Sequence, residues 1–211
     1  SGAALAGHRA AEQPDVRVLG PTAHKKNLVA RLHGAGTKKP LLLLAHLDVV
    51  DARRADWSMD PFKLVERDGY FYGRGTQDDK ALAALWVAIF VRLRREHVPL
   101  DRDVILALTA DEENGPDNGV RWLLEHERSS IDAELALTEG GTGELKGGRR
   151  LAVEVQPAEK SYLTCTLEAK NKGGHSSLPE PDNAIGRVAK AAVRVHEHTF
   201  AYEQSPLTRA Y

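Results

Sequence analysis

Leu41-Leu42-Leu43-Leu44-Ala45-His46-Leu47-Asp48 is the stretch on which the fold turns. A short unbroken apolar run, ending abruptly in polar residues, is the mark of a strand buried on both faces of a sheet. Two more such runs follow, Val104 to Thr109 and Glu134 to Thr138. The segments between them are helical in pattern. Lys80 to Arg95 is apolar nearly all round through Trp86, Val87, Ile89, Phe90 and Leu93, and it closes with Arg92, Arg94 and Arg95, where a helix C-terminus favours cations. It reads as a buried helix capped by Asp78 or Asp79. Val120 to Glu127 reads as a second helix, started by Asp117-Asn118-Gly119. Strands alternating with helices predict an α/β fold, a mostly parallel sheet flanked by helices.

Working outward, Asn27 to His33 reads as a further strand, and Leu64 to Tyr72 as a hairpin turning at Asp68-Gly69. The style shifts after Pro157. Tyr162 to Ala169 alternates, with Leu163, Cys165 and Leu167 on one face, as in a half-exposed antiparallel strand. Asn183 to His198 then reads as an amphipathic helix carrying Ile185, Val188, Ala189, Ala192 and Val193 on one side. A boundary near Pro157 divides the chain into residues 1–157 and the beginning of a smaller α+β domain over 158–211. One strand and one helix cannot bury a core alone.

Composition excludes several function classes. The 211 residues carry 29 Lys+Arg against 30 Asp+Glu, a formal net charge of −1, so no nucleic-acid partner is expected. The single cysteine, Cys165, rules out an internal disulfide framework and every zinc motif built on paired thiolates. No apolar run approaches the ~20 residues of a membrane span, and the start lacks the charged and apolar regions of a signal peptide. A soluble chain without a membrane partner is expected, cytoplasmic or periplasmic.

Four polar clusters sit just past the carboxyl ends of the predicted strands, where open α/β sheets place their ligand sites. In Ala45-His46-Leu47-Asp48, residues two apart on an extended segment point the same way, so the Asp48 carboxylate can reach the surroundings of the His46 ring. A capped strand end with an incidental histidine is the competing reading. Gly73-Arg74-Gly75-Thr76-Gln77-Asp78-Asp79-Lys80 has neither dinucleotide nor P-loop spacing. One aspartate would serve there as helix cap, and the second has no local explanation. Asp111-Glu112-Glu113-Asn114-Gly115 places three acids at the end of a buried strand, costly unless cations are near, or else a solvated acidic loop. Thr138-Glu139-Gly140-Gly141 adds one acid.

Jointly these clusters describe a carboxylate-rich site with one imidazole, a donor set suited to zinc or similar divalent ions. Asp78, Glu113 and Glu139, together with one hydroxide, would balance two dications. Glu112 is then left to carry protons.

In this order and at these separations, the four clusters resemble the M20 metallopeptidases, the co-catalytic zinc group that includes carboxypeptidases, carnosinase-type dipeptidases, aminoacylase and succinyl-diaminopimelate desuccinylase. The resemblance runs from about Asn27 to His198. It implies His46 as a histidine ligand of one zinc and Asp48 as the acid orienting it. Asp78 would bridge both metals and precede a cis peptide, Glu113 would ligate the second zinc, and Glu139 would complete the first. Glu112 resembles the general base. In Lys172-Gly173-Gly174-His175-Ser176-Ser177, His175 matches the lid-domain histidine offered to the substrate carbonyl oxygen, across a homodimer interface in dimeric members.

The implied activity is metal-assisted hydrolysis of a peptide or amide bond in a small peptide or N-acyl amino acid, with two zinc ions per complete site and cobalt or manganese as alternatives. The family's last metal-ligand histidine has no counterpart, since His196 and His198 lie on the predicted lid helix. Residues 1–157 are thus expected to be the N-terminal part of a catalytic metal-binding domain. Residues 158–211 would begin the lid or dimerisation domain. The chain is expected to be incomplete at its C-terminus, with little or no activity alone. A metal-binding or dimerisation module without activity is the alternative.

Overall fold

The structure is a computed structural model describing residues 15–113, 115–141, 143–154, 163–175, 177–178, 181–201, 203–206 and 209. The chain divides into two compact units, Ser1–Gly140 and Gly141–Tyr211. The boundary expected at Pro157 lies outside the described residues.

In the first unit, strands β1 (Asp15–Leu19), β2 (Asn27–Leu32), β3 (Leu41–His46), β6 (Val104–Thr109) and β7 (Leu135–Leu137) form one sheet in the order β1-β2-β6-β3-β7. Pairings β1–β2 and β2–β6 are antiparallel, whereas β3–β6 and β3–β7 are parallel. The α/β class stands, and the sheet is mixed. Its parallel half is the stretch that follows helical crossovers, and its antiparallel half begins where β1 returns directly into β2 through a short loop. The sequence reading missed β1, whose first four residues are exposed, although Val16 and Val18 alternate with charged residues there.

β6 explains why the molecule has a core. All six of its residues are buried. Val104, Leu106 and Leu108 join Ala30, Leu32, Leu43, Ala45, Ala83 and Phe90 on one face. Ile105 and Ala107 join Val29, Leu42, Leu123 and Ile131 on the other. Alternate residues of one apolar run thus serve two cores. α1 (Lys80–Arg95) covers the first face, and Trp86 donates its indole N–H to the Leu44 carbonyl at 3.1 Å. α2 (Gly119–His126) and α3 (Arg128–Ile131) cover the second. The hairpin of β4 (Val65–Arg67) and β5 (Tyr70–Tyr72) turns at Asp68 and Gly69, both with positive φ, as a two-residue turn requires.

Three expectations need correction. α1 is not buried all round: Ala83 and Phe90 are buried, while Leu85 and Val91 are about half exposed, because only one side of the helix meets the sheet. Its N-cap residue Asp79 makes no capping hydrogen bond with its side chain. β7 is apolar yet exposed along its whole length, and among the described residues it pairs with β3 alone, at the edge of the sheet.

The second unit contains a hairpin that the sequence reading missed, β8 (Gly143–Lys146) and β9 (Arg149–Val153), turning through Gly147-Gly148 at positive φ. Its helix α4 (Ala184–Glu197) begins at Asn183, whose side chain accepts the Gly186 N–H at 2.8 Å. Residues 163–169, expected in a strand, form no ladder, since no strand among the described residues pairs with them; Tyr162 lies outside those residues. No helix of the described residues is long and apolar enough to cross a membrane.

Candidate metal centre

The sheet register brings the clusters together. His46 pairs with Thr109 across the parallel β3–β6 ladder, so residues 47–48 and the loop after Thr109 leave the sheet side by side. Leu43 pairs with Leu137 on the other flank, which sets Glu139 level with the end of β3. α1 opens beside the same edge, with Lys80 Nζ donating to the Leu47 carbonyl. Side chains distant in sequence therefore share one sheet edge, the position ligands occupy in open α/β folds.

His46 is the buried element of the cluster, 3% exposed. Its Nε2 lies 2.9 Å from Asp78 Oδ1 and 3.6 Å from Glu139 Oε1. Its Nδ1 lies 3.2 Å from the Asp48 carbonyl oxygen and 3.6 Å from the Asp48 carboxylate. One donor atom from each of His46, Asp78 and Glu139 falls within 4.8 Å of the others, the spacing a single divalent ion needs. The peptide between Asp78 and Asp79 is cis.

Charges in the cluster are unbalanced. Burial by itself would depress the His46 imidazole. The Asp78 contact and the charges of Glu139, Asp48 and Glu112 outweigh it and hold the imidazole above its ordinary value. Glu112 is raised by partial burial and then by Glu113, Asp48 and Asp78, with His46 pulling the other way. Glu139 is raised by partial burial and then by Asp79, Asp78 and Glu112, again against His46. A site that favours the imidazolium and disfavours its own carboxylates is one that a cation would relieve. The donor set thus fits a divalent ion.

Other candidates fall as follows. Asp48 Oδ2 accepts the Glu113 N–H at 3.0 Å, while its Oδ1 is buried with no hydrogen-bond partner among the described residues. Glu113 is therefore tethered by its backbone beside the centre, and its carboxylate is not one of the three converging donors. His175 lies exposed in the second unit, where its Nδ1 is 2.7 Å from Ser177 Oγ. Sequence reasoning missed Asp79, which is 2% exposed and accepts the His46 backbone N–H on Oδ2 at 3.2 Å. Its only signal was being a second aspartate without a local task. Lys25 was missed as well; its Nζ lies 2.7 Å from Asp111 Oδ1.

Comparison with known proteins places the chain among relatives of one family. N-fatty-acyl-amino acid synthase/hydrolase PM20D1 of Xenopus tropicalis is 35% identical over 164 residues, covering 75% of this chain and 32% of its own length. An uncharacterized carboxypeptidase, C24C9.08, of Schizosaccharomyces pombe is 34% identical over 203 residues, covering 88% of this chain and 34% of its own length. Succinyl-diaminopimelate desuccinylase of Rhodospirillum centenum is 35% identical over 176 residues, 81% of this chain and 43% of that protein. The chain thus spans about a third of the length of the first curated relatives it matches. Among solved structures, human carnosine dipeptidase 1 aligns with a TM-score of 0.46 and 26% identity over 58% of this chain and 29% of that one. The model of peptidase family M20/M25/M40 matches residues 42–210, which takes in every cluster at the sheet edge, and the chain belongs to that family.

Proposed function

We propose that this chain carries metal-binding residues of a divalent-metal hydrolase that cleaves a peptide or amide bond in a small substrate, as a carboxypeptidase or dipeptidase does. The observation that carries the reading is the convergence of His46, Asp78 and Glu139 at one sheet edge, with Glu112 on the adjoining loop. A bound divalent ion, zinc on this reading, supplies Lewis acidity and lowers the pKa of water. His46, Asp78 and Glu139 would hold it, and a second ion would draw on Asp78 and Glu113.

The protein's own groups divide the remaining work. With Nδ1–H directed at the Asp48 carbonyl, His46 would leave its Nε2 lone pair for the bound ion, so that Asp48 would set the tautomer of the metal-bound ring. Glu112 takes a proton from the attacking water and returns it to the leaving amine. His175 would donate to the substrate's carbonyl oxygen as charge develops there. The likeness to a protein named N-fatty-acyl-amino acid synthase/hydrolase supports a second reading, hydrolysis of an N-acyl amino acid by the same groups. A panel of dipeptides and N-acyl amino acids distinguishes the two.

Replacing Glu112 by alanine in the full-length protein should lower turnover by about 10²–10⁴-fold while zinc content is kept. Hydrolysis remaining within about tenfold of wild type would show that Glu112 is not the base.

A further inference from the structure

We propose that Lys25, acting through Asp111, is a positioning residue for the loop of residues 110–119, which carries Glu112 and Glu113. The inference rests on the reading above that these two glutamates serve the chemistry.

The loop leaves β6 at Ala110 and enters α2 at Gly119, and it is clamped at both points. Gly119 N–H donates to the Ala110 carbonyl at 2.8 Å, and Ala110 N–H donates to Asn27 Oδ1 at 3.0 Å. Asn27, only 1% exposed, also donates from Nδ2 to the Gly119 carbonyl at 3.5 Å. Further along, Glu113 N–H is held by Asp48 Oδ2 at 3.0 Å. Between these anchors stands Asp111, in the left-handed region at φ 64. Its carboxylate folds back into the loop, accepting the Asp117 N–H on Oδ2 at 2.9 Å. A Cβ on Gly115 would lie 1.3 Å from that same oxygen, so glycine alone leaves room for the carboxylate.

One cation balances this inward-turned acid. Lys25, from the β1–β2 connection, places Nζ 2.7 Å from Asp111 Oδ1 and 3.6 Å from Asp117 Oδ2. Its own backbone N–H is tied to Thr22 Oγ1 at 3.0 Å. Removing the ammonium would leave Asp111 and Asp117 facing each other beside Glu112 and Glu113, four acids within seven residues. The inexpensive escape is for Asp111 to swing outward, which frees the Asp117 N–H and loosens the loop at its middle. A partly exposed ion pair adds little to global stability, so the fold survives this change. Catalytic geometry does not tolerate it equally, because a misplacement of ~1 Å costs on the order of a hundredfold in rate.

The test uses Lys25→Met, Lys25→Arg and Asp111→Asn in the full-length protein; asparagine tolerates the left-handed backbone of position 111 and keeps an acceptor for Asp117 N–H. Lys25→Met should speed hydrogen exchange of the Glu113 and Asp117 amides by about tenfold or more, with β2 and β6 amides unchanged. In a cobalt(II) titration followed by its visible spectrum, the first equivalent should bind as in wild type and the second about tenfold more weakly, on the scale of effects from groups that orient metal ligands. Lys25→Arg should restore both readouts, and Asp111→Asn should make Lys25→Met silent. Unchanged Glu113 and Asp117 exchange in Lys25→Met would overturn the proposal, as would equal loss of protection throughout β2 and β6. A Glu113→Gln control separates the two readings. If it leaves the second cobalt equivalent intact, the ligand assignment fails, and the exchange arm alone decides the role of Lys25.

Discussion

His46 concentrates the constraints of the centre, since its backbone N–H and both ring nitrogens each have a partner of their own. The backbone N–H goes to Asp79, Nδ1 to the Asp48 carbonyl and Nε2 to Asp78. Asp79→Ala would leave that buried N–H without an acceptor, at a cost of about 1–3 kcal/mol that a denaturant titration can read. It should also weaken zinc binding by roughly 10–100-fold, measured by calorimetry, because the ligand-bearing end of β3 loses its anchor. Asp79→Asn keeps an acceptor and should recover most of the stability. Adjacent aspartates at a helix start were legible in the sequence, and the resemblance gave Asp78 a metal, but the task of Asp79 was not legible. The local explanation available was helix capping, and Asp79 instead reaches β3, 33 positions away in the chain.

At the scale of elements, periodicity located strands and helices well and their exposure poorly. Leu41–His46 and Leu135–Leu137 are both apolar strands, yet one is central and the other an exposed edge. An apolar run reports that a strand can be buried, while pairing partners decide whether it is. The junction of β2 with the start of β6 carries an electrostatic counterpart. Burial opposes ionisation of Asp103, but the Gly34 N–H, the Arg31 guanidinium at 3.0 Å and the neighbouring His33 prevail and hold its carboxyl below the usual range. A carboxylate whose pKa is lower in the folded state stabilises the fold at pH above its unfolded value, near 4, and that contribution fades as pH falls through the folded value. Urea midpoints of wild type and Asp103→Asn should therefore differ at pH 7 and converge on acidification toward pH 2–3. A constant gap across that range would show that Asp103 acts through packing alone.

For the whole molecule, the test is linkage between metal and folding. An ion that binds the folded centre and not the unfolded chain stabilises by about 2.7 kcal/mol at a concentration 100 times its Kd. Zinc should therefore raise the thermal midpoint of the first unit, and a chelator should return it. His46→Ala should remove the response, and a midpoint indifferent to zinc would count against the centre. What the sequence determined unaided was the α/β class, the order of the main elements from β2 to β7 and the four polar clusters at strand ends, because apolar period and turn chemistry act over a few neighbouring residues. The tertiary structure decided the antiparallel half of the sheet, its exposed edge and the division of labour among the acids. Asp78 and Glu139 meet the imidazole, Asp79 holds its backbone and Asp111 turns away to Lys25. Those partners are dozens of positions apart in the chain, and it takes the registers of β3 against β7 and of β2 against β6, with the start of α1 set beside the end of β3, to bring them within bonding distance.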